Sequence, residues 1–313
     1  MPVDVRRVRL ALVGTLNFLD ATMDMCREAG IDAFATPLRT YAQGVRWLLS
    51  KEFRRANVIY QFGAGGIKYM LIAKLFGKKH VKHWIGTDAY IVTGAKGSLG
   101  SLWRAVYLSW PDMHLSVAQH LADVLQSNGV KVAGIVRNVT AALATGQVEP
   151  LPDQFTVLGY WTPRHYEFYR GDIVLNLARQ MPDVKFLVVG TDGEGASAPA
   201  NVEFLGWVQD MAAVYSRCSV LVRMPETDGA CNMPLEMVVR GRYAIYNVPL
   251  EGCHLARDID EVRQALLEIR RKGEPNYEGA RLVKQKYSLA HEARVFRECM
   301  EQLAAMLGPT HLS

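Results

Sequence analysis

The chain has 313 residues, half of them hydrophobic, and a formal net charge of +5. That length and composition suit a globular protein of two domains and exclude a disordered or fibrous chain. The charge is uneven, a net +8 over residues 1–150 and −3 over 151–313. The first half is therefore the one suited to an acidic polymer, a phosphorylated substrate or an anionic membrane, or else it carries an ordinary solvated surface.

The N-terminus, MPVDVRRVRLALVG, is basic and then apolar. Its apolar run is short and lacks a small-residue cleavage site, so it reads as a first strand over 8–14 and not as a signal peptide. Further strands are predicted at 31–38, 57–62, 80–86, 113–118 and 132–136. Amphipathic stretches separate them: LDATMDMCREAG, VRWLLSKEFRR, GIKYMLIAKLFG and AQHLADVLQSNG. Gly30, Gly77 and Gly129 each close a helical run, as C-cap glycines do. The polar segment TGQVEPLPDQ (145–154), with two prolines, is a linker. The alternation then resumes with FTVLGY, a helix over YEFYRGDIVLNLARQM, KFLVVG, VEFLG, a helix over QDMAAVYSRC, SVLVRM, a helix over PLEMVVRG, and YAIYNV. From Asp258 the chain reads as helical to the end, with Ser288 as a plain N-cap of the last helix. No stretch approaches the ~20 apolar residues of a membrane span. The five cysteines never form a CxxC pair, which argues for a reduced, cytoplasmic compartment and against structural zinc.

Strands alternating with helices predict βαβ units and parallel sheets. The expected fold is α/β, with two Rossmann-like doubly wound parallel-sheet domains facing a cleft. Their expected bounds are 1–145 and 151–287, with a closing helix in 288–313 packing back on the first. Ligands belong at the C-terminal ends of such strands.

The candidate motifs follow those strand ends. VGTLNFLDA has one glycine, Gly14, where a dinucleotide fingerprint needs three. GAGG (63–66) opens a helix and is either a tight turn or a set of amides facing a phosphate or an acceptor. HWIGTDAY places Gly86, Thr87 and Asp88 at a strand end, where Asp88 is a candidate catalytic acid or a plain turn residue. YWTPRHYEFYRGD carries Arg164 and Arg170 beside a helix start, suited to a diphosphate or exposed as ordinary surface arginines. VVGTDGEG, with Gly190, and NVEFLGW, with Trp207, end two further strands and suit a nucleobase or are simple turns. The strongest stretch is PETDGACNMPLE. With a helix starting near Pro234, the amides of residues 230–233 make an anion pocket, Asp228 stands at its lip, and Glu236 sits in the first turn. The alternative is an acidic turn that only caps the helix, and Glu226 reads as solvated surface.

The block DGACNMPLEMVVRGRYAIYNV (228–248), an acid followed by seven residues and then Glu, resembles the retaining GT-B glycosyltransferases of family 4 (group 1). The series FTVLGYW, RG, PDVKFLVVGTDGEG and NVEFLGW resembles the rest of that family's donor-binding domain. The match is good over roughly 155–250, weaker over 80–140, and thin before residue 80. The resemblance implies a metal-independent transferase that moves a sugar, with retention, from a UDP- or GDP-sugar to a hydroxyl of a glycan or lipid-linked acceptor. It implies no cofactor and no nucleic-acid partner. By the resemblance Glu236 holds ribose hydroxyls and Asp228, where the family usually has Glu, lies near the donor sugar. Arg170 takes the diphosphate, with Arg164 standing in for an arginine that Tyr160 and Trp161 replace. Gly14, Gly229 and the amides of Ala230, Cys231, Asn232 and Met233 approach sugar and phosphate. The leaving phosphate accepts the acceptor's proton in a same-face attack. The basic first domain is expected to hold the acceptor. Lys74, Lys78, Lys79, Lys82, Arg54 and Arg55 are expected to make peripheral contact with an anionic membrane. The alternatives are a non-catalytic nucleotide-sugar-binding scaffold and a sugar-nucleotide epimerase.

Overall fold

The computed structural model describes residues 4–14, 16–36, 40–63, 66–94, 97–229 and 231–307. The chain divides into two compact units, one formed by residues 1–139 with 288–313, the other by 140–287. In the first unit the order is β1 (Arg9–Val13), α1 (Leu16–Ala29), β2 (Asp32–Ala35), α2 (Tyr41–Leu48), α3 (Lys51–Arg55), β3 (Val58–Phe62), α4 (Lys68–Leu75) and β4 (Lys79–Trp84). It continues with α5 (Thr87–Thr93), α6 (Gly97–Ser109), β5 (Met113–Ser116), α7 (Gln119–Gln126) and β6 (Val132–Ile135). The second unit holds α8 (Ala141–Thr145), β7 (Thr156–Tyr160), α9 (Gly171–Gln180), β8 (Lys185–Val189), β9 (Val202–Phe204), α10 (Met211–Ser216) and β10 (Val220–Arg223). After these come α11 (Asn232–Val239), β11 (Tyr243–Tyr246), β12 (His254–Leu255), α12 (Ile259–Lys272) and α13 (Tyr277–Lys286); α14 (Leu289–Met306) returns to the first unit.

Each unit is built on a six-stranded sheet, in the orders β2-β1-β3-β4-β5-β6 and β12-β11-β10-β7-β8-β9. Every pairing is parallel. The two expected Rossmann-like parallel sheets are thus present. Helices on both faces explain the near-continuous apolar strands: β3 and β10 are buried at every position. In the first unit one core joins β1 and β3–β5 to α1 and α14 through Leu10, Leu12, Tyr60, Met25, Phe296, Met300 and Leu303. On the other face Ala11, Val13 and Ile59 meet Trp47, Phe53, Tyr69 and Ala73 of α2–α4. The second unit's core joins β7, β8, β10 and β11 to α9 and α12.

Sequence rules for the ends of elements held in several places. Gly30, Gly77 and Gly129 all have positive φ, and the Ser288 hydroxyl accepts from the His291 amide. Three expectations shift. The helix expected from Tyr166 starts only at Gly171, because Arg170 takes a left-handed conformation (φ +54°) that no helix can contain. The helix expected near Pro234 starts at Asn232. Helices α5, α6 and α8 and strand β12 had no counterpart in the predicted elements.

Candidate functional site

In the second sheet the chain runs from β7 outward to β8 and β9 on one side, while β10, β11 and β12 lie on the other. The order therefore reverses between β7 and β10, and the crevice at the C-terminal ends of those strands is where open α/β sheets bind ligands. The two segments that leave it are the turn into α9, with Arg164 and Arg170, and the loop into α11, with Asp228, Gly229, Cys231, Asn232, Met233 and Glu236. A backbone hydrogen bond from Glu226 to the Phe168 carbonyl (2.8 Å) joins them. A second bond, from the Gly190 amide to the Gly206 carbonyl (2.8 Å), joins the ends of β8 and β9 beside them.

Glu236, expected in the first turn, lies in the second turn of α11 because the helix starts two residues before Pro234. The Thr140 hydroxyl donates to one carboxylate oxygen at 2.7 Å, and the Tyr215 hydroxyl to the other at 2.9 Å. Burial, then the carboxylate itself, raises the Tyr215 pKa, so Tyr215 remains a donor. The carboxylate is thus fixed in direction and only half-buried, with lone pairs left to accept from a ligand. Cys231, the N-cap of α11, makes no side-chain cap hydrogen bond.

Asp228 has a partner that the sequence motif does not reveal. Arg223, the last residue of β10, contacts its Oδ2 through Nε at 2.9 Å and through a terminal nitrogen at 2.8 Å, and the Gly229 amide donates to Oδ1 at 2.8 Å. The guanidinium is itself buried, 5.3 Å from the Tyr160 ring centroid and 5.2 Å from that of Tyr169. Tyr160 is one of the residues that follow Gly159 where the resembling family has an arginine. The only trace of Arg223 in the sequence is a charge inside the apolar run SVLVRM.

The remaining candidates occupy separate places. Arg164 is exposed in a short 3-10 turn, Pro163–His165. Arg170 is half-exposed, 3.5 Å from Asp172, and holds the one positive φ of any non-glycine residue among the described residues. Backbone strain of this kind persists only where surrounding contacts enforce it. Gly190 has φ +91°, and a Cβ there would collide with the Trp161 carbonyl. Trp207 is 78% exposed. A cavity of about 330 Å³ opens beside these strand ends, between Trp161, Tyr166, Arg179, Thr191 and Gly193. Ala230 lies outside the described residues. Glu226 is exposed, as expected.

Two candidates belong to the first unit. Its strand order reverses between β1 and β3, and Gly14 sits there with φ +128°, where a Cβ would stand 2.7 Å from the Phe62 carbonyl at the end of β3. Asp88 is buried: Oδ1 accepts from the Ile85 and Gly86 amides (3.1 and 2.8 Å), and Oδ2 stands 3.8 Å from the Lys82 ammonium. Burial raises the Asp88 pKa and lowers that of Lys82 to about 8, the latter partly offset by Asp88. Lys82, grouped in the sequence with surface lysines, is thus fully buried and unable to meet a membrane. Lys79 is paired with Asp112 at 2.9 Å. Among the described residues no cluster of three or more His, Cys, Asp or Glu side chains is placed to hold a metal ion.

No protein-family profile and no curated protein matches the chain. Solved structures do. Anabaena HepE in complex with UDP-glucose is similar with a TM-score of 0.68 at 12% identity, over 95% of this chain and 99% of that one. Sucrose-phosphate synthase from Thermosynechococcus elongatus reaches 0.74 at 13%, over 96% and 100%. The lipopolysaccharide outer core galactosyltransferase WaaB, in its apo form, gives 0.63 at 10%, over 95% and 100%. At these identities the likeness is one of fold: two successive Rossmann-like units, the GT-B architecture.

Proposed function

We propose that the protein is a glycosyltransferase that takes a sugar from a nucleotide-diphosphate donor. The observation that carries this reading is the crevice between β7 and β10, where a half-buried, directionally fixed carboxylate stands beside a helix start without a side-chain cap. Amides at a helix N-terminus favour phosphate oxygens. A carboxylate held by Thr140 and Tyr215 favours the hydroxyls of a ribose. The sugar-nucleotide complex of HepE, a protein of the same fold, agrees with such a ligand.

In this reading Arg170 and the amides of Asn232 and Met233 stabilise the departing diphosphate, while the Cys231 amide donates to the Tyr246 hydroxyl at 3.4 Å; Arg164 is close in sequence on the same strand-to-helix turn. Asp228, fixed by Arg223, orders the loop that carries those amides. Gly190 and Trp207 border the base, and the cavity lined by Trp161 and Tyr166 supplies volume beside it. Gly14 leaves the β1 crevice open to backbone approach, and Asp88 holds the Gly86 turn at the end of β4. Transfer with retention, independence of metal, membership of family 4 and a glycan or lipid-linked hydroxyl acceptor complete the proposal; they rest on the resemblance of residues 228–248.

The test is product analysis with a panel of UDP- and GDP-sugars, with and without glycan acceptors. Nucleotide release that requires acceptor supports transfer. A changed donor sugar identifies an epimerase, and binding without turnover identifies a scaffold; either result refutes the reading. Glu236→Gln halves the acceptor capacity of the site and is expected to weaken nucleotide binding by about tenfold, the cost of one charge-assisted hydrogen bond. Unchanged affinity by calorimetry would remove Glu236 from the site.

A further inference from the structure

Residues 40–78 contain seven Lys and Arg side chains and a single carboxylate, Glu52. Six of the seven are exposed: Arg46, Lys51, Arg54, Arg55, Lys68 and Lys74. None of these six forms an ion pair among the described residues, so their charge faces outward uncompensated. The same stretch holds five of the twelve exposed large hydrophobic side chains among the described residues: Val45 at 59%, Leu49 at 72%, Leu71 at 41%, Leu75 at 80% and Phe76 at 54%. About an eighth of the chain thus carries five of the twelve such side chains, and it coincides with the strongest run of positive charge.

These side chains belong to one layer. Trp47 of α2 packs on Phe53 of α3 at 4.6 Å between ring centroids, Phe53 meets Phe76 at the end of α4 edge-on at 5.2 Å, and Trp47 meets Tyr69 of α4 at 6.3 Å. The inner side of the layer covers Ala11, Val13 and Ile59 of the sheet. Its outer side has nothing to cover it among the described residues.

We infer that the outer side of α2–α4 docks on an anionic bilayer surface, with the cations at the headgroups and Leu49, Leu75 and Phe76 inserted at the acyl boundary. Charge of one sign alone would suit a nucleic acid equally. Leucines as exposed as Leu49 and Leu75 add nothing to phosphate binding, but they gain free energy on entering a bilayer interface. Of the six side chains expected to meet a membrane, Arg54, Arg55 and Lys74 belong to this surface, whereas Lys78 donates to the Ala56 carbonyl, Lys79 is paired with Asp112 and Lys82 is buried. The surface does not depend on the transferase reading, and an inactive protein would show it equally.

The experiment is co-sedimentation of the full chain with phosphatidylcholine vesicles and with vesicles containing roughly one third phosphatidylglycerol, at low and high salt. Binding to the anionic vesicles alone, weakened by salt, is expected. Arg54→Gln with Lys74→Gln is expected to lower the partition coefficient about fivefold per cation removed. Leu49→Ser with Leu75→Ser, at the two most exposed apolar side chains of the surface, is expected to abolish the binding that survives high salt, with an unchanged thermal melt. Arg263→Gln with Arg271→Gln, on α12 of the other unit, is expected to leave partitioning unaltered. Equal binding to neutral vesicles, no binding at low salt, or equal loss in the α12 pair overturns the inference. So does a dimer that Leu49→Ser with Leu75→Ser converts to monomer without affecting lipid binding, which would make this face a self-interface. Tight binding of single-stranded nucleic acid in place of lipid also overturns it.

Discussion

At Asp228, the acid that the family resemblance sets nearest a donor sugar is bonded through one oxygen to Arg223 at the end of β10 and through the other to the next amide of its own loop. Its charge compensates a buried guanidinium, so its first duty is to the structure. Removing one partner of such a pair leaves the other desolvated and uncompensated. Asp228→Asn keeps an acceptor for Arg223 but not the charge, and is expected to cost about 2 kcal/mol of the second unit's stability, read as a lower urea midpoint at constant m value. A midpoint equal to the parent's, with activity lost, would show that Asp228 acts on the substrate alone. Glu236 was legible from its spacing after Asp228 and its place at a helix start. Its partners were not: Thr140 lies 96 residues away and Tyr215 lies 21 away, and neither carries a motif. Arg223 escaped for the opposite reason. A charge in an apolar strand reads as an edge or a defect until the tyrosines and the acid around it are seen together.

Among the elements, β4 departs most from its sequence pattern. Its residues are buried on both faces except Lys79, yet they include His80, Lys82 and His83. Burial lowers both histidine pKa values to about 3, with Lys82 adding to it at each and the Val136 carbonyl opposing it at His83, which keeps the rings neutral at physiological pH and able to accept and donate within the core. Lys82 is balanced by Asp88 at a distance too long for a hydrogen bond. Lys82→Met is expected to destabilise the first unit by about 3 kcal/mol, because Asp88 is left buried without a counter-charge. The double variant Lys82→Met with Asp88→Asn is expected to recover more than half of that loss. Simple addition of the two single costs in a denaturation cycle would disprove the coupling. At the level of elements the sequence was informative about existence and type, since periodicity of apolar residues is a local property. Boundaries were less legible where one residue's backbone overrides the pattern, as Arg170 does ahead of α9.

For the molecule as a whole, the two cores are separate sets of residues, and the first is completed only by the last helix. Ala293, Phe296, Cys299, Met300, Leu303 and Ala304 of α14 lie in the core of residues 1–139. Phe296 contacts the Tyr60 ring edge-on at 5.8 Å and is fully buried. Phe296→Ala is therefore expected to cost about 3–5 kcal/mol. Hydrogen exchange is expected to show lost protection in β1 and β3–β6 with β7–β11 unaffected; matching losses in both sheets would mean that the cores are not energetically distinct. Neither the order of the strands nor this return of α14 could be read from periodicity, although α14 itself could. Alternation of short apolar runs with amphipathic ones was enough to require parallel sheets covered by helices, because each segment must hide its own apolar face. Positive-φ glycines and the Ser288 cap were legible for the same local reason. Which strands are neighbours, which charges are buried, and which distant side chains orient Glu236 are set by contacts between residues far apart in the chain. Such contacts leave no periodic or compositional mark, and they form only when the whole sheet has assembled.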